Sequence, residues 1–426
     1  LKTAPVAIPV WGSAQMLESR IIHRTAASLP TTPIHNADPL NLFVVVETGD
    51  SHITILDGDR LEPLARLPSR FALHGGPKFS PDGRYVYFAA RDGWISKVDL
   101  YSLTVVAEIR VGFNTRNIAI SGDGKILAVG NMLPKSLVLL DAADLTPLKV
   151  IEVADRSGKT ASRVSAVYQA TPRNSFIVAL KDVPELWEIS WLDSPPPVHT
   201  GLVHSYEKGM EEIAPLKTER FPVRRIEMKQ PLDDFFFDPD YRNLIGSARE
   251  GRAVVVNLDV GSEISTLALT GLPHLGSGIT WTFDGRTVLA TPNLREGAVS
   301  VIDIKDWSVI RRIETAGPGF FLRSHENTPY AWVDNSLGRD RDTIQIIDKQ
   351  SLSVVRTLRP EPGKTAAHVE FSRNGRYALV SIAETDGWLV IYDAATFEEV
   401  KRLPMCKPSG KYNVFNKITR SSGTSH

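Results

Sequence analysis

Three short segments of this 426-residue chain set a histidine among glycines or alanines. They read Phe71-Ala-Leu-His74-Gly-Gly-Pro-Lys-Phe79, Leu272-Pro-His274-Leu-Gly-Ser-Gly278 and Lys364-Thr-Ala-Ala-His368-Val-Glu370. An imidazole can ligate a metal through one nitrogen or move a proton near neutral pH. His74, His274 and His368 could therefore supply the ligands of one zinc ion. No His-x-His pair anchors such a site, however, and the glycines favour something bulkier. Gly75, Gly76, Gly276 and Gly278 remove side chains where backbone must approach a flat ligand, although turn geometry alone also uses glycine. The reading that joins both features is a metal-bearing macrocycle. Arg116, in Asn114-Thr-Arg-Asn117, sits where the histidines do relative to the next turn. Its planar fork suits the carboxylates on the rim of such a ligand, with Arg323 and Lys407 as further cations.

The elements that must position these residues repeat. An apolar run ending in an acidic residue recurs at Asp57, Asp99, Asp141, Glu188, Asp259, Asp303, Asp348 and Asp393. The spacing is mostly in the forties, which is what one four-stranded propeller blade requires. Tight-turn signals lie upstream at Asp82-Gly83, Asp123-Gly124, Asp284-Gly285 and Asn374-Gly375, each joining two antiparallel strands. The fold expected is all-β, an eight-bladed β-propeller spanning residues 39–426. His74, His274 and His368 fall six to ten residues before a turn, on the innermost strand or the loop entering it. The first blade starts at Leu42 without an innermost strand, and Ser409–Phe415 is expected to supply it, closing the ring. Between Glu188 and Asp259 one blade carries roughly 28 extra residues, read as a surface excursion over Trp191–Gln230, with a ninth blade as the alternative. Residues 1–38 read as a Pro-rich linker or arm, with a short helix within Ser13–Ala27. Helical periodicity is absent after residue 40.

Composition narrows the function. Lys+Arg and Asp+Glu both number 49, so the formal net charge is zero, which argues against a nucleic-acid partner. The single cysteine, Cys406, rules out an internal disulfide and a cysteine-based metal cluster. No apolar run reaches the ~18 residues of a membrane-spanning helix. The start at Leu1 reads as a processed or truncated end.

These stretches together resemble the haem d1-binding propellers, a family of nitrite reductases and haem d1 biosynthesis proteins. The likeness covers about residues 39–426. It rests on Asn41–Phe43 through Leu56-Asp-Gly58, His74 through Arg91-Asp-Gly93, Pro273 through Gly278, and Ser409–Val414. Further text is similar to the dihydro-haem d1 dehydrogenase branch: Ser162–Tyr168, Leu232–Phe237, Gly317–Phe321 through Glu326, and Gly423–His426.

The resemblance implies haem d1 or dihydro-haem d1, with its iron, as the bound group. His74 matches the proximal iron ligand of the nitrite reductases, and His274 matches one of their two distal histidines. The second distal histidine falls where this chain reads Pro231-Leu-Asp-Asp-Phe235, which speaks against nitrite reduction. The dehydrogenase branch implies oxidation of a propionate to an acrylate. His74 and His274 then bind iron, Arg116 holds a carboxylate and His368 is the general base. Arg163, Tyr168 and Asp233 are orienting groups. The branch carries a cytochrome c domain with Cys-x-x-Cys-His, which this sequence lacks. Either the chain is the propeller part of such a protein or a separate c-type cytochrome is the electron acceptor; nitrite reductase is a further implied partner, and the periplasm the implied compartment. The rival readings are a haem d1 carrier without redox activity and a propeller that binds no ligand. His325 and Glu326 align with a blade turn and read as structural.

Overall fold

The structure is a computed structural model that describes residues 10–74, 76–198, 219–248 and 252–419. Gly75, the end Gly423–His426 and the middle of the charged excursion lie outside the described residues. The expected all-β propeller is borne out: eight antiparallel sheets follow one another along the chain. Blade 1 contains Leu42–Glu47, His52–Asp57 and Glu62–Pro68, and its innermost strand is Pro408–Asn413 from the other end of the chain. Phe43 faces Asn413 and Val45 faces Lys411 across that seam. The innermost strands of blades 2 to 8 are Lys78–Phe79, Asn114–Ile120, Val164–Ala170, Leu232–Phe237, Ile279–Phe283, Leu322–Ser324 and Ala366–Phe371.

Six of the eight acidic marks end the third strand of their blade and have a local job, whereas Glu188 lies inside Glu185–Ser190 and Asp259 follows Ala253–Asn257. Asp57 Oδ1 accepts from the backbone N–H of Asp59 and Arg60, and Asp393 Oδ1 from those of Ala395 and Thr396. Such side-chain-capped turns lead into the outermost strand. The upstream glycines Gly83, Gly124, Gly285 and Gly375 all have φ between 71° and 75°. Only Asp284-Gly285 is a two-residue hairpin, with Asp284 also at positive φ and Phe283 paired to Arg286. Blade 2 uses a longer loop, since Ser80 N–H reaches the Tyr85 carbonyl.

Three details differ from the sequence reading. Val223–Glu227 is the outermost strand of blade 4, so the excursion interrupts that blade between its third and fourth strands. No ninth sheet occurs among the described residues. The N-terminal helix stops at Ser19, because Ile21–Ile22 straightens to pair with Glu108 and Ala107 as a fifth strand on blade 2. A second short helix, Val414–Thr419, follows the closing strand.

The core lies between blades. Each sheet is apolar on both faces, and clusters such as Val129, Val138 and Leu140 against Ala89, Ile95 and Ile109 join neighbours around the ring. Met16 of the N-terminal helix is fully buried in that cluster, and Trp11 Nε1 donates to the Arg110 carbonyl at 3.0 Å. None of the described helices is long and apolar enough to cross a membrane.

Candidate functional site

The segments that enter the innermost strands converge on one mouth of the central channel. Leu73 bridges to Ala90, and His74 N–H donates to the Ala89 carbonyl, which fixes His74 just before blade 2. Pro273 bridges to Asn293 and His274 N–H donates to the Pro292 carbonyl, which does the same before blade 6. Arg116, Tyr168 and the pair Asp233-Asp234 stand on the innermost strands of blades 3, 4 and 5. Together with Phe320, Phe321 and Tyr412 they surround a cavity of about 480 Å³, within the size range of ligand sites.

The two histidines share one arrangement. His74 Nδ1 lies 2.8 Å from the Arg116 carbonyl, and His274 Nδ1 lies 2.6 Å from the Phe320 carbonyl. A carbonyl only accepts, so each ring carries its proton on Nδ1 and a lone pair on Nε2. This is how metal-ligating histidines are oriented by a backbone partner. The Arg116 Nη1 group approaches His74 Nε2 at 3.2 Å. Burial, then the Arg116 charge, pushes His74 down to about 4. Burial also lowers His274, against the opposing pull of Asp234. Both rings are neutral at pH 7, as ligation and proton transfer require.

Cations outnumber unpaired anions here. Arg91 lines the cavity beside Arg116, and burial followed by the Arg116 charge lowers its pKa. Arg116 Nε donates to the Ser165 carbonyl at 2.9 Å. Both carboxylates are already engaged: Asp233 pairs with Lys181 at 2.9 Å. Asp234 accepts from Tyr168 Oη at 2.6 Å and from Gly276 N–H at 2.8 Å. The mouth is therefore suited to an anionic ligand.

His368 is not in the cavity wall. It is fully buried, with its ring 4.5 Å from that of Phe321 and 5.0 Å from that of Tyr412, centroid to centroid. Its φ of 51° falls at a bulge between Ala367 and Val369. Asp334 accepts its N–H and the buried Lys411 ammonium donates to its carbonyl, which hold this left-handed backbone in place. Burial, then Lys411, keeps the ring well below its ordinary pKa.

The other expected residues scatter. Gly76 lines the cavity with φ of 66°. Gly276 faces Asp234, whereas Gly278 packs against Leu289 and Phe236 beside a different cavity. Arg163 is paired with Asp182 and Lys407 is exposed, and neither lines the cavity. Among the described residues, no group of three or more His, Cys, Asp or Glu could hold a bare ion, so the three-histidine zinc reading has no support. Sequence reasoning passed over Arg91, Lys181, Asp234, Phe320, Phe321 and Tyr412. Period-two alternation along the closing strand was the available signal for Tyr412.

An eight-bladed propeller whose channel mouth carries two carbonyl-oriented imidazoles and two arginines belongs to the class that binds an anionic ligand at its axis. The pattern of the family described as Cytochrome D1 heme domain matches residues 37–208 and 212–417, and the chain belongs to that family. It is 55% identical over 427 residues to a dihydro-heme d1 dehydrogenase of Pseudomonas aeruginosa, covering 100% of this chain and 82% of that one. Protein NirF of the same organism is 28% identical over 377 residues, covering 87% and 90% of the two chains. The solved structure titled dihydro-heme d1 dehydrogenase NirN in complex with DHE superimposes with a TM-score of 0.90, covering 98% of this chain and 84% of that one.

Proposed function

We propose that this chain is an oxidoreductase of haem d1 biosynthesis, which binds dihydro-haem d1 in the channel-mouth cavity and dehydrogenates one propionate to an acrylate. The observation that carries this reading is the pair of neutral, Nδ1-protonated imidazoles of His74 and His274 beside Arg91 and Arg116. The identity to the dehydrogenase over the full chain supports it. The substrate's CH₂–CH₂ unit loses two hydrogens, as two protons and two electrons, and gains a C=C bond conjugated with the carboxylate. The macrocycle supplies the route for the electrons, and a c-type cytochrome takes them.

His74 and His274 would hold the iron of the bound macrocycle through Nε2. Arg116 and Arg91 hold carboxylates of the substrate. Gly76 leaves room for the substrate at the cavity wall, and Gly276 N–H holds Asp234. Tyr168 acts through Asp234, and Lys181 fixes Asp233. His368 accepts the proton, with Tyr412 between its ring and the cavity. Burial raises the Tyr412 pKa, so its hydroxyl stays protonated and can pass a proton inward. Arg163 and Lys407 take no direct part. The propeller begins at residue 39, and the described residues before it, 10–38, form an arm. The setting is the periplasm of a denitrifying cell, where nitrite reductase receives the product.

Nitrite reduction is the weaker reading, because Asp233 and Asp234 are held as acceptors where proton donors are needed. A carrier needs the same cavity but no buried His368–Tyr412 pair. Anaerobic titration with dihydro-haem d1, then addition of oxidised cytochrome c, separates the readings. Conversion to the haem d1 spectrum is expected. Tight binding with an unchanged spectrum, with a competent acceptor, points to a carrier.

A further inference from the structure

A second cavity, of about 840 Å³, lies where the innermost strands of blades 6 and 7 run toward their turns. Ile279, Trp281, Phe236 and Pro329 give it apolar walls, and Glu326, Asn327 and Gln350 stand exposed at its rim. Arg323 lines it and is only 7% exposed. Its Nη1 donates to the Leu322 carbonyl at 3.1 Å, whereas the buried Nη2 has no partner among the described residues. A buried guanidinium arm without an acceptor is rare in folded proteins and calls for an explanation. The nearby carboxylate Glu370 attracts the Arg323 charge but gives Nη2 no hydrogen bond, and its Oε1 accepts from Phe371 N–H and Asn416 Nδ2.

We propose that this cavity is a second ligand site, in which Arg323 takes the carboxylate of a small, largely apolar organic acid whose body lies against Trp281 and Phe236. A guanidinium in the wall offers hydrogen bonds to a planar oxyanion, and the walls favour an apolar body over a bare inorganic ion. The assignment of this site does not rest on which ligand fills the first cavity. It has a consequence there, because the Arg323 charge lowers the basicity of the buried His368 and acts on Tyr412. A bound carboxylate cancels part of that charge, so the two sites communicate through the field of one side chain.

Sodium 4-bromobenzoate is the probe. Crystals of the whole chain soaked in it should give an anomalous bromine peak between Trp281 and the cavity rim, with the carboxylate on Arg323. Calorimetric titration in solution should show Arg323→Gln weakening binding at least tenfold and Arg91→Gln leaving it within twofold. Arg323→Lys keeps the charge but loses the fork, and should weaken binding by a smaller factor. It decides the matter if Arg323→Gln does not fold. Bromine only at Arg91 and Arg116, or binding unchanged in the Arg323 variants, would overturn the assignment.

Discussion

At one mouth of the channel, a cavity of about 480 Å³ gathers two oriented imidazoles, two arginines and two tyrosines. Toward the turns of the same strands, a cavity of about 840 Å³ sets one arginine, one lysine and the carboxylates Glu326 and Glu370 among apolar walls. The larger space carries less chemistry. What separates them is how groups are held: His74 and His274 each spend Nδ1 on a backbone carbonyl, which aims Nε2. His325, in the wall of the larger cavity, instead spends both nitrogens on turn backbone, on the Arg373 carbonyl of the next blade and on Asn327 N–H of its own turn. Volume alone would have ranked the two regions wrongly.

The contrast can be broken most forcefully at His368. Replacing it by alanine should leave substrate binding intact and lower single-turnover rates by about 10²–10⁴-fold, the usual contribution of a positioned base. Unchanged turnover would remove His368 from the mechanism.

Acid should act next, through His74. The ring titrates at about 4 in the folded protein, against 6.5 for an ordinary histidine. Above pH 6.5 both folded and unfolded forms are neutral and its contribution to stability is complete. As pH falls from 6.5 toward 4 the unfolded chain takes the proton first, so up to about 3 kcal/mol is lost. Urea midpoints at pH 7 and 4.5 measure this, and His74→Gln should flatten the difference.

Arg116→Gln removes charge-assisted hydrogen bonds to a substrate carboxylate and should weaken binding by about 10–100-fold. Equilibrium titration of dihydro-haem d1 reads it directly. Gly76→Ala forces a Cβ into left-handed backbone, at about 1–2 kcal/mol in thermal or urea unfolding. The smallest effects sharpen the comparison: Arg163→Gln and Lys407→Ala should change substrate affinity by less than about twofold, as expected for surface charges outside the site.

Much of this was legible because a propeller repeats its punctuation. The acidic marks cap the turns into the outer strands, the glycines take positive φ, and the strand missing from blade 1 is found at Pro408–Asn413. What failed to show did so for local reasons. Val223–Glu227 hides its strand because Arg224 and Arg225 pair with Glu188 and Glu185 on the neighbouring strand, so charges stand where apolar residues would signal pairing. His368 looks like a channel residue in sequence, but the bulge at Ala367–Val369 sets its ring behind Phe321 and Tyr412. Asp233 was visible as an acid at the right place, whereas its neighbour Asp234 is the one bonded to Tyr168 and Gly276. Alternation along a strand predicts that neighbours point apart, but not which of two identical residues faces the site.

The most direct test of the central claim is an anaerobic single-turnover count. The protein is loaded with one equivalent of dihydro-haem d1 and mixed with excess oxidised cytochrome c, and both spectra are followed. The account predicts two cytochromes reduced for each acrylate formed, in step with conversion to haem d1. Cytochrome reduction without acrylate formation, or a stable complex with none reduced, would contradict it.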